Sequence, residues 1–220
     1  LVNMYAEHGM LASMQEIFDK LPFRNVVLWT VCISGYVKLG YCKEALEFFE
    51  LMRLEGIRPN AATYVCGLKA CGSVGSVERG KRVHLLLLHG GHFQCNMKNN
   101  PRNLDVENNI NVGNAIVDMY SKCGAMQKAY EVFEKLPEQN VVSWSSLIAA
   151  YVQNGLANEA LECFRQMQNQ GVHPNAVSYV SILKACGIAG SLEIGEDIDT
   201  EVKQQGLLQK DGVLGTALVD

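Results

Sequence analysis

An internal repeat, apolar residues at helical spacing and glycine turns predict that this 220-residue chain is an all-α helical-repeat solenoid. Residues 25–59 and 140–174 are both 35 residues long and align without a gap. Trp29 matches Trp144 at an offset of 115, and a tyrosine, a glycine and a proline match at the same offset. In each segment two apolar sets at helical spacing flank a central glycine, so each unit is predicted to form two short helices.

The rest of the sequence divides into related units, in which short, standard and long versions alternate. The predicted units are 1–24 (the end of a short unit), 25–59 (standard), 60–109 (long), 110–139 (short), 140–174 (standard), 175–211 (long) and 212–220 (the start of a short unit). Because the first and last segments hold only part of a unit, the sequence is predicted to be a fragment of a longer array.

The first long unit is predicted to carry an insertion. Gly113 and Gly215 correspond at an offset of 102 instead of 115, so 13 extra residues lie between the copies, somewhere in 92–109. That segment is rich in asparagine and contains a proline, which is typical of a surface loop.

Recurrent aromatic residues and most of the eight cysteines are interpreted as core residues. Trp29, Trp144, Tyr64 and Tyr179 recur at fixed repeat positions, where packing between the two helices of a unit is favoured over stacking on a ligand. No CxxC pair is present and the five histidines share no ligand spacing, so no metal site and no cofactor are predicted. The cysteines are instead interpreted as small apolar residues between helices.

Charge and hydrophobicity limit the classes of partner. The formal net charge of -4 offers no global attraction for nucleic acid. The apolar run at residues 83–88, interrupted by His84, is far too short to span a bilayer, so no membrane partner is predicted. With 48% hydrophobic residues, disorder is not expected.

The rotation of units of 31, 35 and 36 residues resembles the PLS class of plant pentatricopeptide repeat (PPR) proteins. The supporting motifs are VGNAIVDMYSKCG at 112–124, NVVSWSSLIAAYVQNG at 140–155 and SYVSILKACG at 178–187. This resemblance covers the whole chain except the insertion. It implies a right-handed superhelix of helix-turn-helix units whose first helices form one concave face.

The resemblance further implies that the protein binds single-stranded RNA, one base per repeat. In that family two side chains of each repeat face the base, the fifth residue and the last residue, where the repeats are counted as 26–60, 110–140 and 141–175. The implied RNA-binding pairs are Thr30 with Asn60, Asn114 with Asn140, and Ser145 with Asn175. An apolar residue at the second position packs between successive bases, and the corresponding residues are Val27 and Val142; the short unit has Asn111 there instead.

The same code implies a short RNA sequence. A hydroxyl residue paired with asparagine favours adenine, and two asparagines favour a pyrimidine. The long units pair Val65 with Asn109 and Val180 with Asp211, and valine cannot form a hydrogen bond with a base, so these units are expected to read poorly. The expected sequence is adenine, any base, pyrimidine, adenine, any base from 5′ to 3′, and Thr216 begins a further pair.

The residues alone also allow a structural interpretation of the asparagines. Asn25, Asn60, Asn140 and Asn175 each directly precede a first helix, where asparagine is a favoured N-cap. An asparagine turned inward as a cap is not expected to present its amide to a base as well. The residues alone favour capping, whereas the family resemblance favours base contact.

No catalytic motif is present, and the chain is predicted not to be an enzyme. The resemblance implies an organellar RNA-processing factor that specifies C-to-U editing sites in mitochondrial or chloroplast transcripts. In the family a deaminase-like DYW domain often follows such arrays, and small editing-factor proteins bind their long units. Two alternatives stay open: a protein-binding scaffold like tetratricopeptide repeats, and a dimerisation segment of a larger enzyme.

Overall fold

The computed structural model describes residues 2–90 and 106–204, and within these ranges every regular element is an α-helix. The helices are α1 (Val2–Glu7), α2 (Leu11–Lys20), α3 (Val26–Lys38), α4 (Cys42–Leu54), α5 (Ala61–Val74), α6 (Val77–His89), α7 (Val106–Lys122), α8 (Met126–Glu134), α9 (Val141–Gln153), α10 (Ala157–Asn169), α11 (Ala176–Ala189) and α12 (Leu192–Gln204). The predicted all-α helical-repeat fold is confirmed.

Side-chain caps and glycine turns set the ends of these helices. Asn25 and Asn60 occupy the N-cap positions of α3 and α5, and their side chains accept backbone N–H groups that would otherwise have no partner. At the other end, α5 and α11 stop at Gly75 and Gly190, whose φ angles of 72° and 67° lie in the left-handed region that favours glycine. The central glycines of the standard units, Gly40 and Gly155, also have positive φ angles, of 83° and 74°, so the predicted glycine turns are confirmed.

The chain forms two compact units, residues 1–125 with 135–137, and residues 126–134 with 138–220. In the first unit, α3 packs against α1 and α5, α5 packs against α7, and α4 covers α3 and α5. In the second unit, α9 packs against α8, α10 and α11, and α11 also packs against α12. Within each unit the first helices of successive hairpins lie side by side, as a helical-repeat array requires.

An edge-to-face aromatic pair recurs in the core of both units. The rings of Phe18 and Trp29 lie 4.6 Å apart at 77°, and those of Phe133 and Trp144 lie 4.6 Å apart at 70°. Both tryptophans are at most 1% exposed. Such pairs contribute about 0.5–1.5 kcal/mol beyond the burial of their apolar area. The prediction that the recurrent aromatics are core residues is confirmed.

Five cysteines also lie in the core, as free thiols. They are Cys32, Cys42, Cys71, Cys163 and Cys186. Their interpretation as packing residues is confirmed. Within the described ranges no group of three or more histidine, cysteine, aspartate or glutamate residues is placed to hold a metal ion. Nor is any described helix long and apolar enough to cross a membrane.

The helix that follows the insertion starts earlier than the sequence pattern indicates. The predicted loop extends to residue 109, but α7 begins at Val106. The last four residues of the proposed loop are therefore helical, because the polar residues that suggest a loop are also compatible with the first turn of a helix. The rest of the insertion, residues 92–105, lies outside the described residues.

Candidate nucleic-acid interface

A groove of about 320 Å³ in the first unit is lined by the first helices of successive hairpins. Its wall includes Val27, Thr30 and Lys38 from α3, Asn60 from the N-cap of α5, and Glu7 from α1. The predicted reading pair Thr30 and Asn60 therefore lines one groove, together with the predicted packing residue Val27. With one lysine and one glutamate in its wall, the groove carries no strong net charge.

The hydroxyl of Thr30 is anchored inside the protein. Its Oγ1 donates a hydrogen bond to the carbonyl oxygen of Val26 at 2.7 Å, a common arrangement for threonine within a helix. The same oxygen lies 2.6 Å from the hydroxyl of Thr63 on α5. The orientation of Thr30 is therefore fixed by its own helix and by the next repeat.

Asn60 caps α5 with its side-chain oxygen. Asn60 Oδ1 accepts hydrogen bonds from the backbone N–H of Thr63 at 2.9 Å and from the Thr63 hydroxyl at 2.8 Å. The backbone N–H of Asn60 in turn donates to the Thr63 hydroxyl at 3.3 Å, which completes a capping box. Because a backbone N–H can only donate, it identifies the capping atom as the amide oxygen.

Capping and base contact are therefore compatible, contrary to the conflict that the sequence suggested. The cap occupies Oδ1 of Asn60, and the Nδ2 amino group is left as a hydrogen-bond donor at the groove that this residue lines. One side chain can thus stabilise the helix with its oxygen and meet a ligand with its nitrogen.

The second unit repeats this arrangement with serines. Ser145 is 4% exposed, and its hydroxyl donates to the Val141 carbonyl. The same hydroxyl oxygen lies 3.1 Å from Asn175 Oδ1 and 2.8 Å from the hydroxyl oxygen of Ser178. Asn175 Oδ1 accepts the backbone N–H of Ser178 at 2.9 Å, as in α5. The structure therefore brings the predicted pair Ser145 and Asn175 into direct contact.

The third predicted pair is divided between the two units, so its members are described separately. Asn140 Oδ1 caps α9 by accepting the N–H groups of Val142 and Ser143 at 3.0 and 3.1 Å. Asn114 lies on α7 in the first unit, and its buried Oδ1 has no hydrogen-bond partner among the described residues. An unpaired buried oxygen is costly.

The two predicted packing valines are exposed at the start of their helices. Val27 is 60% exposed and Val142 is 55% exposed. Val177, at the second position of the long unit, is equally exposed at 56%, although the sequence did not single it out. Each of these valines presents an apolar surface to solvent beside an N-cap asparagine.

The predicted weak readers are only partly described. Val65 and Val180 lie half-buried at the fifth positions of the long units. The side chains with which they were paired, Asn109 and Asp211, lie outside the described part of the chain, as does Thr216.

Sequence reasoning missed two buried hydroxyl residues that hold the reading pairs together. Thr63 and Ser178 are both 0% exposed, and each contacts the fifth residue of the preceding unit as well as the capping asparagine. The signal was present as asparagine followed three positions later by a hydroxyl residue, in NAAT at 60–63 and NAVS at 175–178.

Comparison with known sequences identifies one repeat family across most of the described chain. A family model described as a PPR repeat family matches residues 24–73 and 139–187, and a model described as a PPR repeat matches 114–141. The mitochondrial pentatricopeptide repeat-containing protein At1g06140 of Arabidopsis thaliana is 38% identical over 89% of this chain. The chloroplastic protein At4g18520 of the same plant is 35% identical over 100% of it. The chain spans 32% and 33% of the length of these relatives.

Among solved structures the chain is similar to the pentatricopeptide repeat protein PPR10. The crystal structure of PPR10 in complex with an 18-nt psaJ RNA element gives a TM-score of 0.68 at 18% identity and covers 90% of this chain and 28% of PPR10. The structure of PPR10 from maize gives a TM-score of 0.51 at 20% identity, over 93% of this chain and 34% of PPR10. At such identities the likeness shows the fold alone.

Proposed function

Because the chain belongs to the pentatricopeptide repeat family, we propose that it is an array that binds single-stranded RNA and reads selected bases. The array acts by binding and carries no catalytic step of its own. The observation that supports this proposal best is the groove of the first unit, where Thr30, Asn60 and the exposed Val27 line one concave surface. A solved relative in fold, PPR10, was crystallised with an RNA element.

The hydrogen-bonding groups of the pair explain why adenine is the proposed base. The hydroxyl protons of Thr30 and Thr63 are both used in contacts inside the protein, so Thr30 offers only a lone pair to a base. Asn60 offers its Nδ2 amino group as a donor. The Watson–Crick edge of adenine presents an amino donor beside a ring-nitrogen acceptor, which matches this pattern. Guanine presents a carbonyl acceptor beside a ring N–H donor. Its acceptor would then face the acceptor of Thr30, and its donor would face the donor of Asn60.

Competitive RNA binding tests the proposal. Fluorescence anisotropy at low salt would compare an RNA carrying adenine, any base, pyrimidine, adenine, any base with the same RNA in which both adenines are replaced by guanine. Low salt is needed because the net charge of -4 gives little help from phosphate attraction. The proposal predicts tighter binding of the adenine RNA by roughly tenfold or more per base. Equal affinity for the two RNAs would contradict it.

We further propose that the array is of the PLS class, acts in a mitochondrion or chloroplast, and specifies C-to-U editing sites. Support for the class comes from the rotation of short, standard and long units, and support for the organelle comes from relatives named mitochondrial or chloroplastic. Sequencing organellar transcripts from plants that lack the protein tests this. Loss of cytidine conversion at sites preceded by the expected bases is the predicted result, and unchanged conversion at every site would contradict it.

A protein-binding scaffold is the second candidate function, and a concave surface on the second helices favours it. This groove of about 570 Å³ lies between α4 and α6, is lined by Leu51 and Leu54 and is bordered by Arg79 and Arg82. Leu54 is 83% exposed. A Leu54→Glu variant separates the two functions, because it should leave RNA binding unchanged and weaken only a protein complex formed through this surface.

A further inference from the structure

We propose that Thr63 and Ser178 are positioning residues that hold the hydrogen-bonding groups of each adenine-reading pair in place against its base. This inference rests on the proposed RNA-binding function and adds a third residue to each reading pair. The same contact among three residues supports it in both compact units of the protein. In each compact unit, a buried hydroxyl at the third position of a long repeat contacts the fifth and last residues of the standard repeat before it.

The contacts of Thr63 exceed what a helix cap requires. A capping box accounts for its bonds with Asn60, but not for the 2.6 Å contact with Thr30, which lies on the preceding first helix 33 residues away. Ser178 makes the equivalent contacts with Asn175 at 3.0 Å and Ser145 at 2.8 Å. Both hydroxyls are fully buried, so neither reaches a ligand itself.

Counting protons shows what the third hydroxyl does. In the first unit, Thr30 and Thr63 have two hydroxyl protons for three close contacts, which are Thr30 with Val26 O, Thr30 with Thr63, and Thr63 with Asn60 Oδ1. The 2.6 Å contact between two hydroxyl oxygens requires a proton between them. The other proton is then taken by Val26 O or Asn60 Oδ1, so Thr30 faces the groove as an acceptor.

The same hydroxyl fixes the amide of the asparagine. The backbone N–H of Thr63 donates to Asn60 Oδ1, the Thr63 hydroxyl lies 2.8 Å from the same oxygen, and Nδ2 is left as the outward group. Asn25 offers an internal contrast, because the third residue after it is Leu28, which supplies only a backbone N–H. The backbone N–H sets which atom of Asn60 faces outward, and the Thr63 hydroxyl adds contacts that tie this amide to Thr30. Ser178 makes the same link between Asn175 and Ser145.

Binding measurements on hydroxyl variants test this inference. Thr63→Val and Ser178→Ala remove the hydroxyl. The matched controls Thr63→Ser and Ser178→Thr keep a hydroxyl, because each introduces the residue found at the equivalent position of the other compact unit. Each is assayed with RNAs in which the first or second adenine alone is replaced by guanine. The readout is the ratio of affinities for adenine and guanine at that position, and thermal unfolding reports the fold separately.

Thr63→Val is expected to lower this ratio at the first adenine roughly three- to tenfold, and Thr63→Ser to restore it. Ser178→Ala is expected to act only at the second adenine. A folded Thr63→Val or Ser178→Ala variant that keeps the wild-type ratio overturns the inference, even if it binds both RNAs more weakly. A wild-type chain that does not distinguish the bases at all overturns the proposed function instead, and this inference with it.

Discussion

The hydroxyl oxygens of Thr30 and Thr63 lie 2.6 Å apart, although the two residues belong to successive repeats. The Ser145 and Ser178 hydroxyls lie 2.8 Å apart in the same relation. Through these contacts a polar network links the first helices of neighbouring hairpins at the surface where base reading is proposed. The stability of the array and its proposed specificity therefore depend on some of the same side chains.

The N-cap asparagines give a stability prediction that is independent of RNA. Replacing Asn25 by alanine removes the acceptor for the Leu28 N–H and should lower the free energy of unfolding by about 1 kcal/mol. Asn25→Asp should be as stable as the wild type, because aspartate caps equally well and favours the positive end of the helix dipole. Urea denaturation of the three proteins measures both effects, and an unchanged midpoint for Asn25→Ala would contradict the assigned cap.

Close packing at Gly80 predicts a site that tolerates no side chain. A Cβ atom there would lie 2.2 Å from Sδ of Met119, so this fully buried side chain must shift to admit it. Gly80→Ala should therefore destabilise the first unit by about 1–3 kcal/mol.

Gly195 is the matched control, since it occupies the same repeat position in the second unit. Among the described atoms, the one nearest to a Cβ at Gly195 is Cys186 Cβ, at an ordinary 3.9 Å. Gly195→Ala should be neutral or slightly stabilising, because alanine favours the helix over glycine. Equal thermal stability of the two variants would show that the packing at Gly80 is looser than described.

Buried thiols predict a loss of stability at high pH. Burial raises the pKa of Cys32, Cys71 and Cys163 from 9.0 to about 12. Between these pH values the unfolded chain has released these protons while the folded chain keeps them. Their contribution to stability is therefore complete below about pH 9 and is lost as the pH rises towards 12.

The measurement is the free energy of unfolding at several pH values from 7 to 11. The decline above pH 9 should be shallower in a Cys71→Ala variant, which removes one of the raised pKa values. Burial also raises the pKa of Tyr151 to about 12, so some decline above pH 10 should persist in that variant. Stability that rises with pH in this range would contradict the assignment.

Exposed valines at the second position predict a change in affinity without a change in fold. Val27→Asn and Val142→Asn copy the residue of the short unit, Asn111, at positions that are 60% and 55% exposed. The double variant should bind the adenine RNA about two- to tenfold more weakly, since apolar contact with the bases is lost. Its thermal unfolding should match that of the wild type. An unchanged RNA affinity would show that these valines do not contact the RNA.

The periodic part of the fold was predictable from the sequence because its signals are local. Helical spacing, the central glycines Gly40 and Gly155, and asparagine before four of the first helices all act within one unit. The start of α7 at Val106 was not predicted, because the polar residues around it are compatible with the first turn of a helix as well as with a loop.

Half of the candidate site was also predictable, and the missing half is the part that depends on contacts between repeats. Thr30 and Asn60 were found by their spacing, whereas Thr63 was overlooked because its importance lies in a contact with a residue 33 positions away. The apparent conflict between capping and base contact at Asn60 also needed coordinates. Only the assignment of Oδ1 to the cap shows that Nδ2 is left for a ligand.

The central claim is that the capping asparagines read bases through their amide nitrogens, and a double variant tests it most directly. Asn60→Asp with Asn175→Asp keeps both helix caps, since the aspartate oxygen replaces Oδ1, but turns the outward donor into an acceptor. Affinities of both proteins are measured for the adenine RNA and for the RNA with both adenines replaced by guanine. The wild type should prefer the adenine RNA, and the equally stable variant should lose that preference, because the outward aspartate oxygen faces the ring-nitrogen acceptor of adenine but accepts the ring N–H of guanine. The same preference in both proteins would contradict base reading by these asparagines.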